Sequence, residues 1–240
     1  MQRKSMILYM LIVMLVCLNP LALAGTFSIL PVKLVGKPSE KVLNVKVTNK
    51  SNDNISVQLQ VKRWQLKNNE NVYVNTSDLL PTPAVVTLEP NKPQYIRIGV
   101  MKPNLTDMTE SYRLYIRQLP SVVTANKSSH ENKNETAKIQ ILLNISMPVF
   151  LLPKTKLTED FSWQYKKDKD NYNLTLINNG NGVLKVTDIE LKGADDKSYY
   201  INKGVYVLPK SQFVWNVDSK LTPDSITATI NEKEVSEKLN

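Results

Sequence analysis

Beyond its first two dozen residues, the chain repeats one pattern: apolar side chains at every second position, in short runs separated by polar turns. No segment there shows a helical period. The longest run is IQILLNISMPVFLLP, residues 139–153, in which Ile139, Ile141, Leu143, Ile145, Met147 and Val149 fall on one side of an extended chain. Gln140, Asn144 and Ser146 fall on the other, together with Leu142. Alternation of this kind marks a half-buried β-strand. Six apolar positions on one face extend over roughly 35 Å at the strand rise, longer than most strands of globular proteins. A small sandwich has little core for so long a stripe, so part of it must cover something else.

The other runs are shorter. SILPVKLV sets Leu30, Val32 and Leu34 on one face, and KVLNVKVTN sets Leu43, Val45 and Val47 inward. ISVQLQVKRW points Ile55, Val57, Leu59 and Val61 inward, and QYIRIGV points Ile96, Ile98 and Val100. SYRLYIRQLP divides Tyr112, Leu114 and Ile116 from Arg113, Tyr115 and Arg117. The stretch LLPTPAVVTLEPNKP reads as a loop whose prolines belong at edges or turns. Residues 121–137 read as a long polar loop. After Pro153, KTKLTED reads as a linker, and a second alternating series follows, with NNGNG (178–182) as a turn. Short strands at this spacing predict an all-β chain of two β-sandwich domains, residues 25–153 and 154–240.

Residues 1–24 read as a signal peptide. Arg3 and Lys4 precede the apolar run Met6–Leu18, and Ala22-Leu23-Ala24 supplies the small-x-small cleavage pattern. The run is short for a membrane span and is interrupted by Asn19-Pro20. Cys17, preceded by Val16, lacks the small neighbour a lipid-modified cysteine needs. It is the only cysteine, so the mature chain carries neither a disulfide nor a thiolate metal site. The net charge of +9 falls to +7 without the leader, but the lysines are scattered among acids, as in KKDKD, and this mixture fits a solvated surface better than nucleic-acid binding. His130, the only histidine, sits in the polar loop and supports neither a catalytic triad nor a histidine metal cluster. Asp53, Asp168, Asp170, Asp195 and Asp196 occur in turns or mixed-charge runs and read as turn chemistry. No catalytic residue, metal site or cofactor is expected. The Asn-x-Ser/Thr sequons, Asn49, Asn104 and Asn144 among them, read as chance in an Asn-rich chain.

The ordered set ILPVKLVGKPSEKVLNVKVTN, VQLQVKRWQL, PAVVTLEPNKPQYIRIGVMKP, SYRLYIRQLP and IQILLNISMPVFLLP resembles the periplasmic pilus-assembly chaperones of the chaperone–usher pathway. The second half, with LTLINNGNGVLKVTDIEL and YVLPKSQFVW, is also similar. The details resemble the archaic branch, which assembles thin fimbriae of the spore-coat-protein type. In the better-known branch the long strand ends in a pattern like Ile-Lys-Leu-Phe-Tyr-Arg-Pro, whose lysine grips the client. Here Met147-Pro148-Val149-Phe150 stands in its place, with Pro148 at the lysine position.

The resemblance implies two immunoglobulin-like sandwiches around an interdomain cleft, and a chaperone function by donor-strand complementation. A pilus subunit lacking its final strand leaves a groove and unpaired backbone groups, both aggregation hazards. The chaperone would lend Ile139, Ile141, Leu143 and Ile145 to that groove, while Met147 and Val149 stay in its own core. Three such side chains contribute roughly 5–9 kcal/mol before association costs. Cleft cations would bind the client's C-terminal carboxylate and so set register. Arg113 is the first candidate, with Lys33 matching the family's first-strand arginine and Arg97 and Arg117 in reserve. The partners implied are fimbrial subunits and an outer-membrane usher. An open strand edge also implies self-association of the free protein. The competing readings are a secreted structural or adhesive β-sandwich and, more weakly, a carbohydrate-binding module suggested by Trp64, Trp163, Trp215 and the tyrosines.

Overall fold

The structure, a computed structural model, describes residues 27–67, 70–120, 141–168, 171–193, 197–217 and 222–239. The leader, the 121–137 segment with His130, and Ile139, Asp170, Asp195 and Asp196 lie outside the described residues. Those described form strands, turns and irregular chain, with no helix among them. The first ten strands are β1 (Phe27–Leu30), β2 (Leu34–Gly36), β3 (Val42–Asn49), β4 (Ile55–Lys67), β5 (Glu70–Asn75), β6 (Leu79–Thr82), β7 (Val85–Leu88), β8 (Pro93–Val100), β9 (Glu110–Gln118) and β10 (Asn144–Leu151). They make two sheets, ordered β1-β3-β8-β6 and β2-β10-β9-β4-β5, with β7 also on β4. The remainder are β11 (Phe161–Asp168), β12 (Asn171–Asn178), β13 (Leu184–Gly193), β14 (Ser198–Ile201), β15 (Val205–Val207), β16 (Ser211–Val217), β17 (Pro223–Ile230) and β18 (Lys233–Lys238). These make a second pair, β11-β12-β16 and β14-β13-β17-β18, with β15 on β13.

The inward faces read from the sequence enclose the first core. Leu43, Val45, Val47, Ile55, Val57, Leu59, Val61, Ile96, Ile98, Tyr112, Leu114 and Ile116 are all buried, and Val100 is partly buried against them. SILPVKLV departs from its expected single strand. Pro31, which cannot donate to a ladder, falls between β1 and β2, and the chain crosses there from one sheet to the other. Leu30 and Val32 are therefore exposed, and only Leu34 of the three faces the core. The expected proline loop at 79–88 is instead two short strands, β6 and β7. Trp64 and Trp215 are buried and Trp163 packs against the second core, so all three read as packing residues.

Buried asparagines organise the turns. Asn49 donates to the Asp53 and Leu88 carbonyls, Asn104 to those of Met108 and Leu151, and Asn178 to those of Gly182, Val207 and Leu208. Asn49 and Asn104, both sequon residues, have no room for a glycan.

Between β4 and β9, Arg63 binds Asp78 at 2.5 Å and Glu110 at 3.3 Å, while the Tyr112 hydroxyl lies 2.9 Å from Glu110 and 3.1 Å from Asp78. Burial pushes the Asp78 carboxyl up, but the hydrogen bonds from Arg63, Thr76 and Tyr112 and the charge of Arg63 together outweigh it and hold the group below its ordinary value of 3.8. A carboxyl depressed by folding stabilises the protein above its unfolded pKa, and that contribution fades as pH falls through the folded value. Asp78→Asn is expected to cost about 1–3 kcal/mol at neutral pH. In urea unfolding the gap from the parent should close as the pH is taken below the ordinary aspartate range.

Candidate functional site

β10 runs off the end of its own core. Along its inward face Val149 is 0% exposed and Met147 3%, Ile145 and Leu143 are half-buried, and Ile141 is 78% exposed. The cause is the length of β9, whose last residue, Gln118, lies opposite Leu143 in the continuing register. The Gln118 N–H donates to the Leu143 carbonyl at 2.8 Å, and then Leu119 turns away to Ser56. Regular strand therefore starts at Asn144, later than the stripe suggested, and Ile141 projects beyond the sandwich.

The same hydrogen bond sets which backbone groups of β10 face outward. In an antiparallel ladder hydrogen-bonded pairs recur every second residue, so Leu143, Ile145, Met147 and Val149 turn their N–H and C=O toward β9. The even residues turn theirs to the other edge. There β2 pairs only with Val149–Leu151, and the Leu152 N–H donates to the Gly36 carbonyl in agreement with that parity. From Asn144 to Pro148 this edge has no strand beside it among the described residues. An open edge of this kind is a template for strand addition.

The open edge leads into a positively charged cleft between the two halves. Pro148, Arg113 and Lys62 form one row across β10, β9 and β4. Extending the β2 register by one residue sets Lys33 beside Pro148 in the same row. The Arg113 guanidinium carbon lies 4.3 Å from the centre of the Trp64 ring and 5.9 Å from that of Tyr206, which belongs to the second half. Its Nε is buried with no hydrogen-bond partner among the described residues. The Lys62 ammonium rests 5.4 Å from the Tyr115 ring centre. Aromatic faces hold cations without neutralising them, and like charges directly opposite across a ladder are unfavourable. Asp78 and Glu110, which flank this sheet, are taken by Arg63, and Glu159, which lines the pocket beside Lys33, pairs with Lys233 and Asn231. The row therefore presents positive charge ready for an anion.

The cleft wall is aromatic and spans both halves. Trp64, Phe150 and Leu208 form a buried cluster with Tyr206, and the Phe150 and Tyr206 ring centres lie 5.6 Å apart. Thr109 N–H donates to Asn181 O across the same junction at 2.9 Å. Lys33 is exposed and lines an interdomain pocket with Val35, Phe150 and Tyr206.

The other candidate cations lie elsewhere. Arg97 is on β8, paired with β3 and β6 in the opposite sheet, so it does not reach the cleft. Its alternation was read correctly, but face parity does not say which sheet a strand joins. Arg117 shares the face of Arg113 but lies four residues along β9, roughly 13 Å away at the strand rise. Sequence reading missed Lys62, Trp64 and Tyr206. Lys62 and Trp64 were accessible in principle, since they continue the outward face of Gln58 and Gln60 on β4. Tyr206 was not, because it reaches the site from the other half of the chain.

A family model described as "Pili and flagellar-assembly chaperone, PapD N-terminal domain" matches residues 26–156. Solved structures match across nearly the full fold. The chaperone–tip subunit complex CsuC–CsuE from archaic Csu pili of Acinetobacter baumannii matches at TM-score 0.70 and 20% identity, covering 90% of this chain and 98% of that one. The YadV chaperone matches at TM-score 0.68 and 16% identity, covering 90% and 100%. The Salmonella enterica SafA pilin–SafB chaperone complex matches at 0.64 and 16%, covering 89% and 96%. A search by sequence among curated proteins found no match.

Proposed function

The chain belongs to the family of pili and flagellar-assembly chaperones, and we propose that it holds its client by lending the open edge of β10. On this reading the secreted adhesive alternative falls away. The protein works in the periplasm after loss of residues 1–24, with a subunit-binding domain to about residue 153 and a second sandwich beyond it. Ile139, Ile141 and Leu143 enter the client's groove. Ile145, half-buried against the chaperone's own core, closes the seam between the two cores. The client's C-terminal carboxylate sits on Arg113, with Lys33 and Lys62 flanking it in the same row. Release follows exchange at an outer-membrane usher, where an incoming subunit's extension replaces the lent strand, and no nucleotide is consumed. Free protein pairs with itself through the same edge.

The observation that carries this reading is the burial gradient along β10, from Val149 at 0% exposure to Ile141 at 78%, beside an edge that no strand covers among the described residues. Met147-Pro148-Val149-Phe150, where the better-known branch carries its lysine, supports the archaic branch. Co-expression with a fimbrial subunit from the same operon should yield a soluble complex. Its amide exchange should slow at Asn144 and Ser146, whose N–H groups face the open edge, and hardly change at Ile145 and Met147. Unchanged exchange at Asn144 and Ser146 in a stable complex would rule out strand addition at this edge.

A further inference from the structure

We infer that Pro148 marks where the client strand must end, and lets the site tell a chain terminus from a carbonyl in mid-chain. This rests on strand addition at β10 as proposed above. A strand lying along Asn144–Ser146 with its C-terminus at the cation row must run parallel to β10. In a parallel ladder, slanted bonds link each residue to two staggered partners. The client residue just past Ser146 donates its N–H to the Ser146 carbonyl and turns its own carbonyl toward the N–H of residue 148. Parity directs residue 148 to the open edge, and proline has no N–H to give. The Pro148 carbonyl faces β2, where the pairing of Val149 with Leu34 begins. One oxygen of the client is thus left without a ladder donor at the step where the Arg113 row begins.

An internal amide carbonyl at that step is stranded, and leaving an acceptor unpaired on burial is unfavourable. A terminal carboxylate is not stranded, because Arg113 and Lys33 belong to the row of Pro148 and their charge-assisted bonds replace the missing one. Pro148 is itself buried and bears no charge, so it neither competes for the carboxylate nor screens it. A proline placed only to blunt an edge strand would show no such preference for a chain end.

The test compares capture of the native subunit with capture of the same subunit extended by Gly-Gly at its C-terminus. The parent chaperone should prefer the native end by about 100-fold. Pro148→Ala and Pro148→Val both restore an N–H at this step, and each should shrink that preference by about tenfold. The new amide at 148 should exchange freely in the uncomplexed variants and become protected in the complex. A preference unchanged in both variants, or an amide already protected in the free protein, overturns the inference. If instead the parent itself fails to distinguish the two subunits and Arg113→Ala binds as the parent does, the carboxylate anchor beneath it is what fails.

Discussion

Ile141→Glu is expected to abolish recovery of a soluble chaperone–subunit complex while leaving the chaperone folded. In the free protein Ile141 is 78% exposed, and surface substitutions usually change stability by no more than about 0.5 kcal/mol. In the complex proposed above, the same side chain lies in the client's groove. There it loses about 1.5–3 kcal/mol of apolar burial, and a carboxylate placed among apolar groups adds a further desolvation penalty. Together these weaken capture by more than about 100-fold. Leu143→Glu should have the same effect on capture but also lower the melting temperature, because Leu143 is half-buried against its own core. The two variants thus separate lending from folding. If Ile141→Glu still co-purifies with subunit in parental yield, the projecting end of β10 is not the donor.

How much of this was legible in advance depended on which physical rule governed each residue. Period-two alternation identified the core faces of β3, β4, β8, β9 and β10, because a strand with one buried face fixes its register by that face. Alternation alone puts Met147 and Val149 on the same face as the outer part of the stripe; it was the family resemblance that assigned these two to the chain's own core, where both are buried. Alternation failed at Leu30 and Val32, where it runs on through Pro31 but the chain changes sheets. It failed for Arg97 for a related reason, since an outward face can belong to either sheet. Arg113 was legible from its face and from the family resemblance. The aromatic seat that holds it was not, because Trp64, Phe150 and Tyr206 meet only when the two halves pack together. No local pattern in any one of these segments reports that meeting.

The Arg113 side chain gives the second large effect, felt in the bound state and nearly absent from the free one. Its Nε is buried without a hydrogen-bond partner among the described residues, and Lys62 stands directly opposite it. Removing an uncompensated cation relieves repulsion as well as losing contact with the Trp64 and Tyr206 rings, so Arg113→Ala should leave the stability of the free protein within about 1 kcal/mol of the parent. Capture is another matter. Truncating one partner of a buried, hydrogen-bonded charge pair at an interface costs about 2–5 kcal/mol, so affinity should fall by at least about 30-fold. Arg113→Lys should recover only part of the loss, because an ammonium neither forks onto a carboxylate nor stacks between two rings as a guanidinium does. Affinity measured by titration, beside thermal melts of the free variants, reads both states. A parental affinity in Arg113→Ala would remove this residue from the anchor. A large drop in the melting temperature of the free variant would make it a strut of the interdomain cluster instead, since a strut is missed in either state whereas an anchor is missed only when the client is present.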